Sequence, residues 1–297
     1  ALEANAASIS DPVEILGDKP TSYRQWAAQV QDYANHQGAN EETLYWRTVI
    51  GGLGDYRQRI APLFTSPSLS QRELSLNKTL TQHLLGGVHH VFNTQVNDLL
   101  LASFVEILNE FTGLHTQYLT LEGHGREALD ISVDINRTVG WLTTMYPVRL
   151  SSEGDWRQRI VTVKETVGGI PRRGVGFAPL MGYDADQLPP VSFNYLGRFD
   201  EVQQEGWCFS PTNSGQTVAH ENGEAHLLSV NCGVVGGELR IRLSGYLTDD
   251  VLQHLASRYQ GAIAGVIERL LAESRTYLTA RDIDGVIPQA TLDALQR

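Results

Sequence analysis

With 297 residues, 41% of them hydrophobic and 19% charged, the chain is long and apolar enough to bury a core, which excludes disordered and fibrous classes. A formal net charge of −11, from 23 basic against 34 acidic residues, argues against nucleic acid as the main partner. No run approaches the apolar length that spans a bilayer, the opening ALEANAASISDP lacks the pattern of a secretory leader, and two distant cysteines, Cys208 and Cys232, read as reduced thiols of a cytosolic protein.

Residues 1–20 read as polar loop. Ser22 with Gln25 forms a capping-box pattern, and Tyr23, Trp26, Ala27, Val30 and Tyr33 then repeat at helical spacing on one face that must dock on something. A break over 35–40 precedes a short helix around 42–50, stopped by Gly51-Gly52. Segment 53–73, with two prolines and several serines, reads as loop. Leu74–Asn77 is expected as strand and 80–85 as a short helix, with His89 and His90 as entry residues to the next helix. That helix, Asn93 to Phe111, carries Leu100, Phe104, Ile107, Leu108 and Phe111 on one face and stops at Gly113.

The run from Leu119 to Val148 dominates the chain. Leu119 and Leu121 point to one side of an expected strand, with Tyr118, Thr120 and Glu122 on the other. Glu122 then sits where a rigid element hands over to a loop, in Glu122-Gly123-His124-Gly125-Arg126-Glu127, whose glycines mark a sharp turn or a close approach. Arg137-Thr138-Val139-Gly140-Trp141 and Tyr146-Pro147-Val148 follow. Next come a helix capped by Asp155 and Gln158 that ends at Gly168-Gly169, the turn Pro171-Arg172-Arg173-Gly174-Val175-Gly176, and Phe193-Asn194-Tyr195-Leu196-Gly197-Arg198-Phe199-Asp200. Strands at 225–232 and 238–246 join through a glycine-paired hairpin, and an amphipathic helix spans about 249–272 before a polar tail. Glu122, His124, Glu127, Asp130 and Asp134 lack metal-ligand spacing, and His220 and His226 flank a polar loop with no chemistry assigned. Trp207-Cys208 reads as packing. The alternation of strands and long helices is an α/β pattern.

EGHGRE, RTVGW followed by YPV, and FNYLG-x-F together resemble the epimerization domain of nonribosomal peptide synthetases, with weaker similarity from about Ser22 to the C-terminus. The resemblance implies a chloramphenicol-acetyltransferase-like fold, a two-lobed V with the active site in the cleft. On that frame 1–45 would be the tail of the N-terminal lobe and a connecting helix, 46–275 the C-terminal lobe, and 276–297 a linker. The family's H-H-x-x-x-D-G motif is absent, since His89-His90 is followed by Thr94 and Gln95 where Asp and Gly are required. The expectation is therefore a fragment beginning just after that motif, acting beside a missing N-terminal lobe and leaving the Tyr23/Trp26/Val30 face as an orphaned docking surface.

The implied activity is L/D interconversion at Cα of an aminoacyl or peptidyl thioester held on the phosphopantetheine arm of a carrier protein domain, in the cytoplasm, with no bound metal or cofactor. Cα deprotonation needs a base, reprotonation an acid, and the enolate a donor for its oxygen. The resemblance makes Glu122 one acid/base, lifted in pKa by partial burial from Leu119, Leu121 and Trp141, opposite a histidine of the missing lobe. It gives Arg126 an orienting or charge-stabilising role, with an ion pair to Asp130 or Asp134 as the equal alternative. Tyr195 is the implied enolate donor or a packed tyrosine, and His124 supports the site from behind. Arg172 and Arg173 are candidates for the pantetheine phosphate, or form a solvated basic turn. Two alternatives stay open: condensation, which forms a peptide bond on the same fold, and an inert docking lobe.

Overall fold

The computed structural model describes residues 17–35, 39–127, 129, 133–182, 184–199, 212, 215 and 222–296. Helix α1 (Tyr23–Tyr33) opens on the expected capping box: the Ser22 hydroxyl accepts from the Gln25 amide, and the Gln25 side chain accepts from the Ser22 amide at 2.8 Å. Helix α2 spans Ala39–Ile50. Residues 53–73 are loop only over 64–69. The rest form helix α3 (Leu53–Ile60), a one-turn element at Ala61–Leu63 and the first part of strand β1 (Ser70–Leu76). Leu53, Tyr56 and Ile60 are all buried, a short apolar stripe that the prolines and serines downstream obscure. Strand β1 buries only Leu76, so pairing with a neighbour rather than its own pattern makes it a strand.

One-turn elements at Lys78–Gln82, His83–Gly87 and His89–Val91 lead into helix α4 (Val96–Thr112), which ends on a left-handed Gly113. Strands β2 (Thr116–Gly123) and β3 (Thr144–Ser151) follow, then helix α5 (Trp156–Gly168) behind its Asp155/Gln158 box. Strand β4 covers Val191–Arg198. Strands β5 (Leu228–Val235) and β6 (Glu238–Gly245) turn through Gly236 and Gly237, whose φ of 62° and 77° fit a primed two-residue hairpin. Helix α6 (Asp249–Leu271) and a short helix at Gln289–Leu295 end the chain. Trp207, Cys208 and His220 lie outside the described residues.

The chain divides into two compact units, a smaller one of Ala1–Trp46, Gly123–Met145 and Pro171–Tyr183 and a larger one of Arg47–Glu122, Tyr146–Ile170 and Asp184–Arg297. The larger is built on a mixed sheet ordered β1-β6-β5-β4-β2-β3, in which β2, β4 and β5 run parallel and β6 is antiparallel to β5 and β1. This is the α/β architecture expected.

Register sorts the sheet's faces. Leu121, Phe193, Val230 and Leu243 form one apolar row, and Tyr195, Cys232, Ile241 and Leu74 the next. Phe104 of α4 and Tyr259 of α6 pack on this side, with Phe104 5.8 Å from the Phe193 ring and 5.3 Å from the Tyr259 ring. Cys232 is a free, buried thiol there. The opposite face is polar. One row runs Thr120, Ser192, Ser229, Ser244, Gln71, and the next places Asn194, Asn231, Arg242 and Glu73 side by side.

In the smaller unit the α1 face is covered rather than orphaned. Trp26 is 4% exposed and packs with Ile135, Leu142 and Val175, joined by Val30, Leu129 and Val133. Tyr23 alone stays half-open, against Gly140. Gly125 explains one glycine of the hexapeptide: at φ +67° any Cβ would fall 1.6 Å from the Leu142 carbonyl oxygen.

Candidate active site

Glu122 is the next-to-last residue of β2, exposed after five buried residues, Gln117 to Leu121. Its neighbour across the parallel pair is Asn194, because Leu121 pairs with Phe193. The Asn194 side-chain amide donates to Glu122 Oε2 at 2.9 Å. Enough protein surrounds the carboxyl that desolvation raises its pKa above the ordinary value, and the charge of a protonated His226 pulls it back. The source of that desolvation differs from the expectation. Leu119 and Leu121 point to the other face of β2, and Trp141 is itself 79% exposed.

Tyr195 does not share that face. The pleat of β4 sends Asn194 to the polar side with Glu122 and Tyr195 to the side of Phe193 and Cys232, so adjacency in sequence becomes separation across the sheet. Burial first, then the neighbouring Cys232, raises the Tyr195 phenol pKa, while Arg198 opposes the shift; the hydroxyl stays protonated. Asn194 is the residue that sequence reasoning passed over. Its signal was present, since a polar side chain in β4 must face away from Phe193 if Phe193 is core.

In the smaller unit, His124 supports the loop. Its Nδ1 accepts from the Arg126 amide at 2.9 Å, which leaves the proton on Nε2, 3.3 Å from Glu127 Oε1. Arg126 donates to the carbonyl oxygens of Ile135 and Thr138 at 2.5 and 3.1 Å. It therefore ties down the 133–138 loop, while Asp134 accepts from the Asn136 amide and Asp130 lies outside the described residues. Arg172 and Arg173 occupy left-handed backbone, φ 43° and 47°, in the turn Pro171–Gly174. Arg172 lies over the Tyr33 ring, 5.0 Å from its centroid, and donates from Nε to the Tyr33 hydroxyl at 3.1 Å. That hydroxyl donates to Glu42, whose other oxygen accepts from Trp46 Nε1 at 3.0 Å. Arg173 is mostly exposed, 3.5 Å from Glu127.

Among the described residues no group of three or more His, Cys, Asp or Glu side chains is arranged to hold a metal ion, and no helix is long and apolar enough to cross a membrane.

Three comparisons bear on this arrangement. A family model described as the condensation domain matches residues 11–283. Tyrocidine synthase 2 of Brevibacillus parabrevis is 31% identical over 91% of the chain, and bacitracin synthase 2 of Bacillus licheniformis 32% identical over 91%. The chain spans 8% and 11% of those two synthases. Among solved structures, the epimerization domain from the third module of tyrocidine synthetase B superimposes with a TM-score of 0.76 at 29% identity, covering 92% of this chain and 64% of that one. The X-domain from teicoplanin biosynthesis, in complex with OxyB, gives a TM-score of 0.60 at 16% identity over 83% of this chain and 57% of its own, a likeness of fold alone.

Proposed function

The chain belongs to the condensation-domain family and has its chloramphenicol-acetyltransferase-like fold, and from that premise we propose that it serves epimerization at the Cα of an aminoacyl or peptidyl thioester carried on phosphopantetheine. The observation that carries the reading is Glu122: a carboxyl at a strand end, accessible, raised in pKa by desolvation, with one oxygen held by Asn194 and the other free of partners among the described residues. A base of raised pKa removes a weakly acidic Cα proton more readily than an ordinary carboxylate, and once protonated it returns the proton. In this reading Glu122 serves one face of the substrate carbon, and a histidine from residues outside this sequence serves the other. Arg126 and His124 act indirectly, by fixing the loop that follows Glu122. Arg173 reaches the phosphate of the carrier's arm, and Arg172, tied to Tyr33, holds the turn that presents it.

The family match also favours a second reading, amide-bond formation as in a condensation domain. One experiment separates them. A carrier-bound aminoacyl thioester, with a second aminoacyl carrier present as acceptor, is incubated in deuterium oxide with this chain and an added N-terminal lobe, as wild type and as Glu122→Gln. Deuterium entering Cα in the wild type and not in the variant is expected. A new amide product without exchange would assign condensation, and neither product would reduce the chain to a docking role.

A further inference from the structure

We infer that Asn194 is the positioning residue for Glu122, fixing which carboxylate oxygen is held and which one meets the proton. The inference rests on the proposed function for its effect on rate, while its structural half stands alone. Three observations carry it. The parallel register of β2 and β4 sets Asn194 beside Glu122 on the polar face of the sheet, and its amide lies 2.9 Å from Oε2. Glu122 Oε1 has no hydrogen-bond partner among the described residues, so one oxygen is anchored and one is open. Asn194 itself never titrates, and beyond it in the row comes the equally neutral Asn231, then the Arg242–Glu73 pair.

An uncharged donor suits this place. It restricts a side chain with three free torsions to one orientation at the rigid end of a strand. A donor to an anion favours the carboxylate form, so its effect is opposite in sign to that of the desolvation that raises the group's pKa. A lysine there would pair with Glu122 and depress its pKa, and an aspartate would compete with it for a proton. Among the described residues, His226, from the segment before β5, is the one titratable group with an electrostatic effect on Glu122.

The test reads the carboxyl directly. Chain labelled with carbon-13 at the glutamate carboxyl is titrated by NMR, with the Glu122 signal assigned by its loss in Glu122→Gln. Asn194→Ala should raise the Glu122 pKa by about half a unit or more, as expected for loss of one donor to an anion. The near-isosteric Asn194→Asp keeps the test alive if the alanine variant folds poorly, and it should raise the pKa further because two neighbouring carboxyls then share a proton. In the deuterium-exchange assay with the added N-terminal lobe, Asn194→Ala should slow Cα exchange about tenfold with unchanged carrier KM, and Asn194→Asp should move the pH profile upward. Glu122 titrating alike in wild type and both variants would overturn the inference. A shifted Glu122 in a wild-type protein that exchanges no Cα hydrogen would uphold the positioning and sink the epimerization reading instead.

Discussion

Glu122 has a thermodynamic cost that can be read without substrate. Its pKa is higher in the folded protein than in the unfolded chain, because folding partly removes the carboxyl from water. Below the ordinary carboxylate range both states are protonated and the residue is neutral in the balance. As pH rises, the unfolded chain ionises first, so stability falls until the folded-state value is passed and the penalty then persists. Glu122→Gln should therefore melt with the wild type at about pH 4 and above it at about pH 7.5, the pattern expected where a functional group is held at some expense to the fold. Equal melting-temperature differences at both pH values would place Glu122 in an ordinary solvated setting. Tyr195 makes the complementary case. Lying in the row of Cys232 and Ile241, it has a packing role available without chemistry, and Tyr195→Phe should keep Cα exchange within about threefold. A loss of about a hundredfold would return its hydroxyl to the enolate. The motif around Tyr195 was legible in the sequence. The pleat that parts Tyr195 from Asn194 was not usable until Phe193 was known to be core.

At the scale of elements, what could be read depended on whether the signal was local. The capping boxes at Ser22 and Asp155, the Gly113 stop and the glycine hairpin all act within a few residues, and each was legible. Strand β1 was legible only at its end, from Leu74; the polar, alternating first half at 70–73 becomes sheet only through β6, some 170 positions away in sequence as in the pairing of Glu73 with Arg242. The polar tail hid a similar long-range tie. Lys164 of α5, buried, donates to both carboxylate oxygens of Asp282 at 2.8 Å and to the Phe92 carbonyl at 2.7 Å, while Asp282 also accepts from Thr279 N and Oγ1. Burial opposes the charge on Asp282, but the bonds from Lys164 and Thr279 outweigh it and lower its pKa. The stability this gives is complete above the unfolded carboxylate pKa and is lost as pH falls through the depressed folded value. Lys164→Met should cost about 1–2 kcal/mol at neutral pH by leaving the half-buried Asp282 carboxylate without its cation, and less in acid. Urea melts at two pH values check this, and a cost independent of pH would mean that packing around the lysine stem carries the effect.

Over the whole molecule the charge balance is −11, which makes the turn at Pro171–Gly174 a local positive feature on an acidic protein. Its two arginines look interchangeable in sequence and are not in structure. Arg172 lies over the Tyr33 ring and is bonded to its hydroxyl, whereas Arg173 is mostly exposed, with a 3.5 Å contact to Glu127 as its one ion pair among the described residues. Left-handed backbone at both positions costs on the order of 1 kcal/mol each, which the stacking of Arg172 and the following Gly174 help to offset. Reversing the charge at each should therefore separate presentation from contact. Arg173→Glu should raise the KM for carrier about five- to tenfold at low salt, leave kcat unchanged, and lose most of that effect at about 0.5 M salt, where an exposed charge is screened. Arg172→Glu should instead lower the melting temperature, because it places a carboxylate against Tyr33 and Glu42 in place of the stacked cation. If carrier dependence in Arg173→Glu stays flat at both salt concentrations, the phosphate of the carrier's arm is bound elsewhere and the turn is a solvated one.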